Sequence, residues 1–67
     1  MKTAYKHGIR SQDIQHAVEH PIIVHLLDGY QIVIGPDRAG QLLEIGINRL
    51  GQAFHAMPAR SKYLRQK

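Results

Sequence analysis

The sequence predicts an α+β domain: one or two short N-terminal helices packed on a four-stranded antiparallel β-meander, closed by a short C-terminal helix or basic tail. Three observations carry that expectation. Apolar residues at helical spacing occur before Pro21; between Pro21 and Pro58 the chain is a series of β-rich runs; and Asp-Gly, Pro-Asp-Arg-Ala-Gly and Arg-Leu-Gly divide those runs. Glycine, proline and aspartate at the divisions are turn chemistry, so successive strands are expected to pair as hairpins.

Taken in order, Met1 to His7 predict a short helix, ended by Gly8 in the left-handed conformation with Ile9 folding back as an apolar contact. Ser11 is the expected N-cap of the next helix, and Asp13 sits in its first turn, where the helix dipole favours negative charge. Ile14, Ala17 and Val18 form a narrow apolar stripe, and Pro21 ends the helix near His20. "PIIVHLL" and "YQIVIG" read as strands around a two-residue Asp28-Gly29 loop; "QLLEIGIN" follows the second turn and "QAFHAMP" the third. "PARSKYLRQK" then reads as a short helix, with Pro58 in its first turn, or as a frayed basic tail. Repeats, low-complexity runs and linkers are not evident.

Alternation assigns faces. Leu43, Ile45 and Ile47, with Phe54 and Ala56, are expected against the helices; Leu42, Glu44 and Gly46, with Ala53, His55 and Met57, are expected on the open face. The Asp28-Gly29 loop pairs His25 with Ile32 on one face, core or open.

At 67 residues the chain is read as one domain, residues 1–67. A chain this short buries only about 60% of its unfolded surface, so a partner that covers apolar area is expected. It has no cysteine, which removes disulfides and thiolate metal sites. No apolar run is long enough to span a bilayer and the start lacks a signal-peptide core, so a cytoplasmic location is expected. Nine Lys+Arg against five Asp+Glu give a net charge of +4, and no acidic residue follows Glu44. That imbalance favours a polyanion or an acidic protein as partner, although basic tails are also found simply solvated.

"HAVEH", His16 to His20, has the H-x-x-E-H spacing of a zinc peptidase, with Glu19 as its general base. The stripe argues against that chemistry. A 100° step puts His16 and His20 at about 200° and 240° from Ile14, toward water. The helix is short, and a third ligand would have to be His25, Glu44 or His55. The expectation is a solvated helix, with no metal and no cofactor.

The segments "KHGI", "SQDIQHAVEHP", "IGPDRAGQLLEIGI" and "FHAMPAR" resemble, in that order and spacing, the BrnT-like toxins of bacterial toxin–antitoxin pairs, over most of residues 6 to 63. The resemblance implies a RelE-like fold and a ribonuclease-type toxin of a type II module. Such a toxin cleaves mRNA, free or on the ribosome, and arrests translation, and a cognate antitoxin holds it inactive in a hetero-oligomer.

Metal-independent RNA cleavage needs the 2′-hydroxyl deprotonated, the leaving 5′-oxygen protonated and the phosphorane neutralised. Histidine suits proton transfer near neutral pH, and the planar fork of arginine suits a phosphorane. The candidate catalytic residues are therefore His55, Arg60, Lys62 and Tyr63, of which Arg60 matches the family's Ala-Arg ending. Lys6, His7 and Arg10 are expected to converge with them if the meander packs beneath the helices; Arg38 and Arg65 complete the candidate RNA contacts. Each has an ordinary alternative: His55 as a surface side chain, Lys62 and Tyr63 as cover for the sheet, and Lys6 and His7 as a helix terminus. Tyr5, Tyr30 and Tyr63 are too scattered along the chain to define a base-stacking platform. A non-catalytic RNA-, ribosome- or protein-binding module remains the alternative function. The expected antitoxin offers an acidic, partly helical docking segment.

Overall fold

The turns set the register of this domain. Across Asp28-Gly29, Leu27 pairs with Tyr30 and Gly29 takes φ +91°, a conformation glycine adopts without strain. At the next two turns a side-chain oxygen organises the loop. Asp37 Oδ1 accepts the N–H groups of Ala39 and Gln41, and Asn48 Oδ1 accepts those of Leu50 and Gln52. "DRAGQ" and "NRLGQ" thus build the same loop twice, a short local repetition within a chain where no repeat was expected.

The computed structural model describes residues 8–64. Its elements are α1 (Ser11–Glu19), β1 (Ile23–Leu27), β2 (Tyr30–Pro36), β3 (Leu42–Asn48), β4 (Ala53–Pro58) and α2 (Ser61–Leu64). The strands form one antiparallel sheet in the order β1-β2-β3-β4, the predicted meander. The predicted helix over Met1–His7 lies outside the described residues. Gly8 does take a positive φ, +73°, and Ile9 packs against the core.

α1 lies across β2 and β3, burying Ile14 and Ala17 against Val33, Leu43, Ile45, Ile47 and Ala56. Gly35 permits this close approach, because a Cβ there would run into the Ala17 carbonyl. The helix start differs from expectation: Arg10 is the N-cap, with no side-chain cap, and Ser11 is already helical. Arg10's carbonyl accepts the N–H groups of Asp13 and Ile14, which starts the ladder one residue earlier than a Ser11 cap allows. Asp13 binds Arg38, accepting its main-chain N–H at 3.1 Å and its Nε–H at 2.8 Å.

β4 corrects the face assignment. Gly46 pairs with His55 and Ile47 with Ala53, so Phe54 is an extra residue in a β-bulge. The bulge reverses the alternation: Ala53 and Ala56 lie on the core side, whereas Phe54 joins His55 on the other face. Gly46 makes the room, since a Cβ there would meet the Phe54 ring. Pro58 is also reassigned. It ends β4 opposite Leu43, on a sheet edge that tolerates its missing N–H, and α2 begins only at Ser61.

The face turned away from α1 carries Ile23, His25, Ile32, Ile34, Glu44 and Gly46, and the chain after β4 folds back over part of it. His25 Nε2–H donates to the Tyr63 carbonyl at 2.8 Å, so His25 faces the C-terminal segment and not the helix-side core.

Candidate functional site

Glu44 stands in the middle of β3 between apolar neighbours, and its side chain is fully buried. A buried carboxylate is stable only if donors surround it. Here they come from the end of the chain. Arg60 gives its main-chain N–H to Oε1 at 2.9 Å, its Nη2–H to Oε2 at 2.7 Å, and its Nε–H to both oxygens at 3.1 and 3.2 Å. His55 Nε2–H adds a further bond to Oε2 at 3.0 Å. Burial pushes the Glu44 carboxyl up, but the Arg60 side chain and main-chain N–H, His55 and the Arg60 charge outweigh it. The carboxyl is held below its ordinary value.

This clamp explains why the chain turns back after Pro58. Ala59 N–H bonds the Leu42 carbonyl, and the next residue delivers its main-chain and side-chain donors to Glu44. His55 meets the carboxylate through Nε2, which orients its ring beside Arg60. The Arg60 side chain remains about half exposed (47%), so the clamp stands at the surface with only the carboxylate sealed inside.

Beside the clamp is an open hollow of about 520 Å³. Ile32 and the rings of Tyr30, Phe54 and Tyr63 line it, with His55 and Arg60 along one side. Tyr30 and Phe54 meet edge to face at 5.8 Å. Arg60 lies 5.5 Å and Lys62 5.0 Å from the Tyr63 ring centroid, so two cations flank that ring.

His55, Arg60 and Tyr63 are therefore brought together, with Lys62 next to Tyr63. Arg10 is not: it caps α1, which covers the other face of the sheet, and this corrects the expectation that it converges with the group. Arg38 sits on the β2–β3 loop, paired with Asp13 and outside the hollow. Lys6, His7 and Arg65 lie outside the described residues. Tyr30 and Tyr63, judged too scattered in sequence, line one hollow with Phe54.

In the sequence Glu44 stands out only as the last acidic residue and as a conceivable zinc ligand. Its position was the missed signal, since a lone acid inside "LLEIGI" must find donors if that strand is buried. Of the two histidines of HAVEH, expected to face water, His16 differs and His20 agrees. His16 is half-buried and donates Nδ1–H to the Pro36 carbonyl at 2.8 Å, tying α1 to the end of β2. His20 is exposed, bonds the His16 carbonyl at 2.8 Å and stacks on the His16 ring. Among the described residues, no three His, Cys, Asp or Glu side chains are grouped to hold a metal ion.

The fold and the clamp define a small α+β domain with a carboxylate-bridged His-Arg pair beside an aromatic hollow. Comparison with known protein families, curated proteins and solved structures finds no match to this chain. Among the described residues, no helix is long and apolar enough to cross a membrane.

Proposed function

We propose that the chain is a BrnT-like toxin of a type II toxin–antitoxin module, a cytoplasmic, metal-independent endoribonuclease that cleaves mRNA. The observation that carries the reading is the placement of His55 and Arg60 on one buried carboxylate at the rim of one hollow. In the proposed reaction the His55 imidazole takes the proton from a 2′-hydroxyl, and the 2′-oxygen attacks the adjacent phosphorus. Arg60 neutralises the phosphorane, and Lys62 or Tyr63 returns a proton to the departing 5′-oxygen. The products are a 2′,3′-cyclic phosphate and a 5′-hydroxyl. Glu44 acts through its partners, orienting the imidazole and aiming the guanidinium.

A specific observation favours a second reading, an RNA- or ribosome-binding module without catalysis. Glu44 already engages Arg60 Nε and Nη2 and balances its charge within the protein. Induced expression, with growth followed and purified protein incubated with RNA in EDTA with and without ribosomes, separates the two. The toxin reading expects growth arrest, RNA fragments and loss of both in Arg60→Ala. Intact RNA and normal growth, with salt-sensitive binding retained, favour the module. The proposed partner is an antitoxin with an acidic, partly helical docking segment, matched to a chain of net charge +4. Co-expression of the neighbouring small open reading frame should restore growth.

A further inference from the structure

We propose that the aromatic hollow is a subsite for one unstacked nucleobase of single-stranded RNA, gripped by Tyr30, Phe54 and Tyr63; the inference rests on the reading of the chain as an RNA-acting protein. The bulge in β4 is the first support. Regular alternation would send Phe54 into the core beside Ala56. The extra residue at Gly46 instead turns the chain's single phenylalanine outward, where it is 37% exposed against Tyr30. Bulges re-aim side chains at functional positions, and stability alone would favour burying this ring.

Shape and charge say what would fill the space. At about 520 Å³ the hollow falls within the range of roughly 300–1,000 Å³ usual for small-ligand sites, yet it is open to one side. Its lining offers ring faces and edges, which suit a flat aromatic guest. Arg60 and Lys62 flank Tyr63, so the cations lie where the phosphates attached to such a guest would run. An acidic peptide would use those cations but meets the rings only where it brings an aromatic side chain of its own, whereas every nucleotide carries a planar base. A paired base is excluded, because its faces are already stacked within the duplex.

The polar lining sets the selectivity. Asn48 lines the hollow, but its Oδ1 accepts two loop N–H groups and its Nδ2 donates to Gln52. With its oxygen and one N–H engaged in the loop, Asn48 offers a base edge a single donor, so stacking on the rings dominates and the subsite takes single strands with little regard to base identity.

Fluorescence anisotropy with uncleavable RNA tests this. The probes are an all-2′-O-methyl hexauridylate, the matching hexacytidylate, a fully abasic 2′-O-methyl hexamer of equal charge, and a 2′-O-methyl duplex. Wild type should bind both single strands about tenfold more tightly than the abasic hexamer, and the duplex no better than the abasic hexamer. Phe54→Leu and Tyr30→Leu, each checked for fold by circular dichroism, should reduce that preference to about twofold or less, while Leu50→Ser, outside the hollow, should retain it. Equal binding of intact and abasic hexamers by wild type overturns the subsite, as does full preference in folded Phe54→Leu. The outcome is separable from catalysis. Preference for bases without cleavage of ordinary RNA supports the subsite and sinks the nuclease; cleavage without that preference does the reverse.

Discussion

Replacing Glu44 by glutamine removes one charge at constant shape and tests the clamp directly. The carboxylate is fully buried and accepts from the Arg60 main-chain N–H, Arg60 Nε and Nη2, and His55 Nε2. A glutamine amide presents one oxygen and one NH2 group. Whichever way it turns, at least one donor is left facing only another donor, and the remaining bonds lose their charged acceptor. Hydrogen bonds to a charged group contribute about 1.5–3 kcal/mol each, and the exposed parts of Arg60 and His55 recover some of that loss from water. The expected cost of Glu44→Gln is therefore about 2–4 kcal/mol, equivalent to a fall in Tm of about 10–25 °C for a domain of this size. Thermal melts followed by circular dichroism at several pH values are the assay. The folded carboxyl titrates below the ordinary value of 4.5, so its contribution is complete above that value and is lost as pH falls through the lower folded one. The variant lacks that loss and should show a shallower acid dependence than wild type. Asp13, also held below its ordinary value by its hydrogen bonds from Arg38, keeps a residual slope in both proteins. A Tm at pH 7 within about 3 °C of wild type, or an unchanged acid slope, would refute the reasoning.

Three further substitutions probe the frame that holds the site. Gly35→Ala places a methyl group against the Ala17 carbonyl and should cost about 1–3 kcal/mol in urea unfolding, since only backbone stands in its way. Ile45→Ala opens a cavity at a fully buried core position and should cost about 2–5 kcal/mol, measured in the same way. Leu26→Lys alters a side chain 80% exposed on edge strand β1; stability should stay within about 0.5 kcal/mol, while concentration-dependent self-association falls in light scattering.

Most of the scaffold was legible because it is written in local signals. Asp28-Gly29 fixed the first hairpin, the second and third turns were recognisable from Pro-Asp-Arg-Ala-Gly and Arg-Leu-Gly, and the run of Ile14, Ala17 and Val18 marked the buried side of α1. The site was less legible because it depends on departures from regularity. Alternation placed His55 on the correct face but Phe54 on the wrong one, since a bulge leaves no local mark beyond Gly46 on the neighbouring strand. The meeting of Glu44 with Arg60 spans 16 positions and requires the chain to double back after Pro58. Periodicity is blind to such a contact; only the cost of burying a lone carboxylate points to it. Arg10 was placed with the site because basic residues were grouped by charge, although α1 carries it to the opposite face. The gathering of Tyr30, Phe54 and Tyr63 likewise became visible only once the strands were paired.

The chemistry of the RNA ends tests the central claim most directly. An end-labelled RNA should be incubated with purified wild type and with folded His55→Ala in EDTA, and the new termini analysed by mass spectrometry. Attack by a 2′-oxygen activated at His55 predicts 2′,3′-cyclic phosphate and 5′-hydroxyl ends from wild type and none from the variant. Ends bearing 3′-hydroxyl and 5′-phosphate groups, or equal cleavage by both proteins, would contradict it.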